Sequence, residues 1–348
     1  MRHNPSLHVV QLHGIAKMHI VMIGAGAMGG VYGGLLTRKG FSVTLLDPRQ
    51  DHMECVRRDG LIIEGVRGHH VVKVPGQLNL SGIAPADLAF IFTDANSTRD
   101  AAMEARQLLK PSGFVLTLQN GIGNVETLCD VLGKERVLAG VSMNSAANPA
   151  PGKVVYTNAG MTSIGELGGG SSARLEQVRD MLNQAEIQTE IVADPMSYVW
   201  GKFVHNCGVN ALAAVTGLRS GEIYRTPEVS ALQDRIIDEI LAVVERKGIK
   251  LYQADPRKKI KDHCRIRYNK PSMMQHMEQG RRTEIDALNG AIVREAKALG
   301  IPVPYNEALV AVVKGLEKSR RQTLHEPARD YKQLEADAEA ELHNGAAK

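Results

Sequence analysis

Residues 200–217 read WGKFVHNCGVNALAAVTG, a stretch that is mostly apolar or small. Within it Lys202, Asn206 and Asn210 recur at four-residue steps. On one continuous helix that spacing sets an ammonium and two amides in line, about 6 Å apart per step. A desolvated ammonium can act as a general acid, and the amides can exchange hydrogen bonds with substrate hydroxyl groups. The same stripe would also serve as a polar seam between helices, or the lysine would run its stem out to solvent. His205 is rotated about 100° from Asn206 and reads as a packing or surface histidine.

Residues 270–290 read KPSMMQHMEQGRRTEIDALNG. Pro271 can precede a helix opening near Ser272, Gly280 interrupts it, and Thr283 with Asp286 can cap the next one over 283–299. Ser272 and Glu284 then both stand near helix starts, where backbone N–H groups favour anions, and a substrate carboxylate could use the first. Ordinary capping would use the same residues. Met273, Met274 and Met277 read as core.

Gly24-Ala25-Gly26-Ala27-Met28-Gly29 fits GxGxxG directly after the apolar run HIVMI. In that context the first glycine makes the turn, the second admits a pyrophosphate, and the third lets helix and strand pack closely. Asp47 closes the next apolar run, VTLLD, about 20 residues on, where a carboxylate binds the ribose hydroxyls of NAD. Arg49, two residues later, could instead reach a 2′-phosphate.

These groups need a frame to hold them. Short apolar runs at 19–23, 41–46, 88–93, 114–119 and 136–142 alternate with helical stretches, which predicts a Rossmann-type doubly wound parallel sheet. Residues 152–166 read as a hairpin or paired edge strands, and 172–185 as an amphipathic helix followed by the strand QTEIV. From Pro195 the periodicity turns helical, over 196–216, 228–247, 272–279, 283–299 and 304–319. The organisation expected is an extension over 1–17, a dinucleotide-binding domain over 18–194, a mainly α-helical substrate domain over 195–320, and a polar, fraying tail over 321–348.

Composition limits the function classes. The 348 residues are 43% hydrophobic and 23% charged, with a net charge of +4, ordinary for a globular protein of two domains. The basic residues are scattered, so nucleic acid is not expected as a partner. No apolar run approaches the roughly 20 residues of a membrane helix. The four cysteines show no ligand spacing, so no metal is expected, and reduced thiols in a cytoplasmic protein are.

Taken in order, GAGAMG, Gln119-Asn120-Gly121, the Lys202/Asn206/Asn210 segment and SMMQ…GRRTEID…NG make the chain, from about 18 to 320, resemble the ketopantoate reductase family. The resemblance implies a Rossmann domain plus a helical domain, with the active site between them. It implies Lys202 as the general acid protonating a ketone oxygen, and Glu284 as a carboxylate hydrogen-bonding near the reacting group. Asn206 and Asn210 then bind substrate hydroxyls, Ser272 binds the substrate carboxylate, and Asn120 lies near nicotinamide and substrate. The reaction implied is reduction of 2-dehydropantoate (ketopantoate) to D-pantoate, a step of pantothenate synthesis, with NADPH.

Two positions depart from the pattern. Asp47-Pro48 stands where many members carry a basic residue for the 2′-phosphate, and Asp94 in FTDAN where a lysine is frequent. Asp47 favours NADH. The alternatives are therefore an NADH-dependent D-2-hydroxyacid dehydrogenase for another branched 2-oxo acid, and a dinucleotide sensor without turnover. The partner expected is a small 2-oxo acid; a homodimer is compatible with this reading.

Overall fold

The computed structural model describes residues 18–345; the extension read at 1–17 lies outside them. The described residues fall into two compact units. One ends at Phe203 and takes in Lys250–Tyr252; the other comprises Val204–Ile249 and the residues from Gln253 onward.

The first unit runs β1 (His19–Ile23), α1 (Ala27–Arg38), β2 (Ser42–Leu46), α2 (Gln50–Asp59), β3 (Leu61–Gly65), β4 (His70–Val72), β5 (Gly76–Gln77), β6 (Ala86–Ile91), α3 (Thr98–Leu108), β7 (Leu109–Thr117), α4 (Asn124–Leu132), β8 (Val137–Ser142), β9 (Ser145–Ala150), β10 (Lys153–Asn158), β11 (Thr162–Glu166), α5 (Ala173–Gln184), β12 (Thr189–Ile191) and most of α6 (Pro195–Cys207). Eight strands form one sheet in the order β12-β11-β8-β7-β6-β1-β2-β5. Every pairing is parallel except β8 with β11. Chain order reverses at β1, which pairs with β2 on one side and β6 on the other.

Along β1, Ile20 and Met22 enter one core while Val21 and Ile23 enter another. A strand buried on both faces has no polar side to show, hence its unbroken apolar run.

The hairpin expected at 152–166 does not form. β10 and β11 belong to different sheets: β10 joins a second, four-stranded sheet, order β4-β3-β10-β9, and β11 joins the large one. The apolar pattern of both strands is satisfied by burial, so periodicity alone could not say which sheet each enters. The small sheet packs on the outer side of α1. Gly33 lies against Leu45 and Met22, and Gly34 against Ile63 and Leu61, so side chains there would push α1 off one sheet or the other.

The second unit contains the end of α6 and then α7 (Asn210–Thr216), α8 (Ser220–Arg225), α9 (Pro227–Arg246), α10 (Pro256–Ile266), α11 (Ser272–Glu278), α12 (Asn289–Leu299), α13 (Pro304–His325) and α14 (Tyr331–Gly345). α9 buries Ile236, Ile237, Ile240, Val243 and Val244, the stripe of an amphipathic helix. Pro227, Pro256 and Pro304 each open a helix, where a missing N–H costs nothing.

The tail departs from expectation. α13 continues to His325, and α14 covers much of the stretch read as fraying. Its YKQLEADAEAELHNG is rich in strong helix formers, and Asp330 caps the N–H groups of Lys332 and Gln333 at 3.1 Å. Helix propensity and a cap, rather than an apolar face, account for it.

Candidate active site

In the first unit the glycine loop, Asp47, Asp94 and Asn120 follow the carboxyl ends of β1, β2, β6 and β7. Ligands of open α/β sheets bind at that edge, where strand order reverses. The N–H groups of Gly24 and Ala25 both donate to Leu46 O, at 2.9 and 3.1 Å, tying the loop to the end of β2. Gly26 precedes α1, whose first-turn N–H groups lack intrahelical acceptors and point toward an incoming anion. A side chain at Gly26 would meet only the Arg49 guanidinium, at 3.5 Å. The cradle is therefore open where a pyrophosphate would lie against backbone, and these residues fit a dinucleotide.

Asp47 and Arg49 are one unit rather than rivals. Arg49 Nε donates to Asp47 Oδ1 at 2.8 Å, Nη2 donates to Oδ2 at 3.1 Å, and the Arg49 backbone N–H donates to Oδ1 at 3.1 Å. Arg49 Nη1 donates to Asn148 Oδ1 on β9 at 2.7 Å. The amide of Asn148 is oriented in turn by Nδ2 donating to Lys153 O. Arg49, read from sequence as able to reach a 2′-phosphate, is thus pinned, and the Asp47 carboxylate, buried at 5% exposure, is partly neutralised by it.

Beneath the loop lies His52, 1% exposed. Its Nδ1 accepts from the Gly152 N–H at 2.9 Å, so Nε2 carries the proton and donates to Ala25 O at 3.1 Å. Burial, followed by the Arg49 charge, holds its pKa below 6.5. A histidine kept neutral in the fold stabilises fully above about pH 6.5. As pH falls below that value the unfolded chain takes up the proton first, and stability declines. We expect Tm of the wild type to fall between pH 6.5 and 5 more steeply than that of His52→Gln, whose amide can make both bonds without titrating. Equal slopes in a pH series of thermal melts would refute this.

The turn after β7 is held to the turn after β6. Gln119 Nε2 donates to Thr93 O at 2.9 Å and to Thr98 Oγ1 at 3.0 Å, and Asn124 Nδ2 donates to Asn120 O at 2.8 Å. Asn120 is half-buried at that edge, and Asp94 is exposed before the 3-10 turn Ala95–Ser97.

Lys202, half-buried on α6, donates from Nζ to Ser142 O, the last carbonyl of β8, at 2.6 Å. Ser142 Oγ belongs to a buried cluster with Tyr32, Asn144, Thr162 and Tyr156. Sequence reasoning did not find this cluster. Its members are distant in sequence, and the one local signal was a tyrosine one turn past the glycine loop.

The expected single helix over 196–216 is broken. α6 ends at Cys207, Val209 N turns back to Asn206 O at 3.2 Å, and α7 opens at Asn210. Lys202 and Asn206 share α6, whereas Asn210 starts a new helix and is buried. The carbonyls left by the break find side chains: Asn289 Nδ2 donates to Cys207 O at 3.1 Å and Gln233 Nε2 to Gly208 O at 3.0 Å, both from fully buried amides. An unpaired buried carbonyl would cost about 1–3 kcal/mol, so these long-range bonds sustain the break.

In the second unit Ser272 opens α11, which packs on α7. Glu284 does not stand inside a helix over 283–299. It precedes a 3-10 turn, Ile285–Ala287, and its carbonyl accepts from Ala287 and Leu288 N–H at 3.0 Å each, before α12 begins at Asn289. Thr283 Oγ1 accepts from the Ile285 N–H at 3.2 Å. The Thr283 N–H donates to Glu317 Oε1 at 2.5 Å, joining this turn to α13. His205 meets the edge of the His263 ring, centroids 4.7 Å apart. Met273, Met274 and Met277 are buried. Among the described residues no cluster of histidine, cysteine and acidic side chains could hold a metal, and no helix is long and apolar enough to cross a membrane.

Residues 20–169 match the family described as Ketopantoate reductase PanE/ApbA, and residues 194–317 match its C-terminal domain, Ketopantoate reductase PanE/ApbA C terminal. A relative named 2-dehydropantoate 2-reductase from Pyrococcus horikoshii is 32% identical over 300 residues, covering 86% of this chain and 98% of the relative. Among solved structures, a PanE/ApbA family ketopantoate reductase from Ralstonia eutropha superposes with a TM-score of 0.81 at 32% identity, over 87% of this chain and 100% of that one. A ternary complex of D-mandelate dehydrogenase with NADH and anilino(oxo)acetate has the same TM-score at 27% identity, with the same coverage of each chain.

Proposed function

Because this chain belongs to the ketopantoate reductase family, we propose that it reduces a 2-oxo acid to a D-2-hydroxy acid, with 2-dehydropantoate the leading substrate and D-pantoate its product. Bound NADH or NADPH would supply the hydride, and that chemistry belongs to the cofactor. The glycine loop Gly24–Gly29 would hold the pyrophosphate, with Asp47 and Arg49 at the adenosine ribose and Asn120 near the nicotinamide. Lys202 gives its proton to the ketone oxygen as the hydride arrives. Glu284 hydrogen-bonds beside that oxygen, Asn206 and Asn210 hold substrate hydroxyls, and Ser272 takes the carboxylate. The observation that carries the reading is an open dinucleotide cradle in the same unit as a lysine ammonium fixed on Ser142 O. A soluble cytoplasmic enzyme fits it.

Asp47 supports a second reading, an NADH-dependent dehydrogenase for another branched 2-oxo acid. Its carboxylate can bond two ribose hydroxyls but repels a 2′-phosphate. At about 4 Å the repulsion is roughly 4 kcal/mol per charge pair at an effective dielectric of 20, before screening. The Arg49 pairing cancels part of this, and about 1.4 kcal/mol remaining means tenfold. We expect kcat/KM to favour NADH. Asp47→Ala should narrow or reverse the ratio, because it removes the carboxylate and releases Arg49 toward the phosphate. Steady-state assays of several 2-oxo acids with both cofactors test both readings: no turnover on any acid refutes the enzyme, and a tenfold wild-type preference for NADPH refutes the role of Asp47.

Ser272→Ala and Glu284→Gln should separate kinetically. A carboxylate contact is similar in ground and transition states, so the serine variant mainly raises KM. The glutamate variant mainly lowers kcat. Identical profiles would contradict the assigned roles.

A further inference from the structure

We infer that Tyr32, acting through Ser142, is a positioning residue for the Lys202 ammonium, and so links the helix of the dinucleotide loop to the proton donor. The inference rests on the reading of Lys202 as that donor. Lys202 Nζ is held by Ser142 O at 2.6 Å. The peptide bearing that carbonyl is fixed by its own side chain: Ser142 Oγ lies 2.9 Å from Tyr32 Oη and accepts from Asn144 N at 3.2 Å and Asn144 Nδ2 at 2.9 Å.

Asn144 is the centre of the cluster. Asn144 Oδ1 accepts from the Gly160 N–H at 2.9 Å and from the Tyr156 hydroxyl, so Nδ2 is the donating end of that amide. Asn144 Nδ2 reaches Ser142 Oγ and Tyr32 Oη at 2.9 Å each and Thr162 Oγ1 at 3.0 Å, and shares its two protons among these three oxygens. Tyr32 Oη lies 2.7 Å from Thr162 Oγ1 and 2.9 Å from Ser142 Oγ, so its hydroxyl is bonded on both sides. Thr162 stands opposite Ser142 in the β11–β8 register, and Asn144 Nδ2 bridges their hydroxyls. Tyr32 and Thr162 are 0% exposed and Ser142 3%. Burial pushes the Tyr32 hydroxyl up to about 12, so it stays a neutral donor at working pH.

Buried hydroxyls add little net stability, but a satisfied network holds its members to one geometry. Here the geometry held is the carbonyl on which the ammonium rests. Tyr32 projects from α1 one turn beyond Gly29, and its ring packs on Phe92, centroids 5.0 Å apart, just past the end of β6. The helix that presents the dinucleotide loop therefore carries the pin that sets the lysine.

The test uses Tyr32→Phe, which deletes one hydroxyl and keeps the ring. Misplacing a reacting group by about 1 Å can cost up to 10²-fold, so we expect kcat to fall on the order of 10-fold. KM for both substrates and NADH affinity by fluorescence titration should stay within about twofold, a split that general loosening of the fold would not produce. In a Lys202→Ala background the same change should lower kcat no further. Should Tyr32→Phe fail to fold, Ser142→Ala removes the bridging hydroxyl, keeps the carbonyl, and carries the same expectations. A Tyr32→Phe enzyme with a lowered Tm but normal kcat overturns the inference, as does additivity with Lys202→Ala. Activity lost in Lys202→Ala but kept in Tyr32→Phe overturns the inference alone; activity kept in Lys202→Ala overturns the proton-donor reading with it.

Discussion

Lys202→Ala is expected to lower kcat by on the order of 10²–10⁴-fold, the usual cost of losing a general acid, while leaving NADH affinity close to that of the wild type. As hydride adds to the carbonyl carbon, negative charge develops on the oxygen. A proton donor acts on that charge and on little in the ground state, so its loss shows in kcat rather than in binding. The structure gives a reason for the separation. Nζ is anchored 2.6 Å from Ser142 O, at the end of β8, whereas the dinucleotide cradle is built from the turn after β1 and the start of α1. Removing the lysine side chain leaves every loop bond described there intact. Steady-state kinetics at saturating substrate, paired with fluorescence titration of NADH, measures both quantities. A variant with near-normal kcat removes Lys202 from the mechanism, and a variant that loses NADH binding in proportion makes it a structural residue.

The second large effect concerns the glycines of the loop, which GxGxxG treats alike and the structure does not. A side chain at Gly29 would stand 2.2 Å from Gly24 O, against backbone that cannot swing away. At Gly26 the nearest group is the end of the Arg49 guanidinium, at 3.5 Å, an ordinary contact. Gly29→Ala should therefore injure the fold, with an overpacking cost of about 1–3 kcal/mol and a Tm lower by roughly 5–10 °C. Gly26→Ala should leave Tm within about 2 °C. It should still weaken NADH and NADPH binding by roughly 10–100-fold, because under the proposed reading the added methyl would stand where the pyrophosphate meets the backbone. Thermal melts and cofactor titrations on the two variants decide the matter. Equal Tm losses would mean that Gly26 serves the protein, and unchanged affinity in Gly26→Ala would mean that the pyrophosphate lies elsewhere.

Two further features went unread, one carried by a local pattern and one by none. Leu61–Gly65 and His70–Val72 pair antiparallel as a short hairpin, and the signal was present: two apolar runs around the turn VRG. The hairpin matters because its sheet covers α1 and, through Asn148 on β9, takes hold of Arg49. No local pattern could have placed Asn148, which is separated from Arg49 by 99 positions.

The sequence by itself determined the doubly wound sheet, the helical second unit, the dinucleotide loop and the family. Each is written in short-range terms: a period of 2 or 3.6, a glycine spacing, an acid at a strand end. Helical spacing made Lys202, Asn206 and Asn210 candidates, places near helix starts made Ser272 and Glu284 candidates, and the family resemblance added Asn120. The tertiary structure decided how those residues are held. It broke the helix between Asn206 and Asn210, because the amides of Gln233 and Asn289 were available to the freed carbonyls. It paired Asp47 with Arg49 instead of leaving them to compete. It also set Lys202 on the Ser142 carbonyl, and gave the Ser142 and Thr162 hydroxyls a partner in Tyr32, 110 and 130 positions away. The physical reason is the same in each case. A buried polar group must find a partner, and which partner is within reach is a property of packing, not of neighbours along the chain.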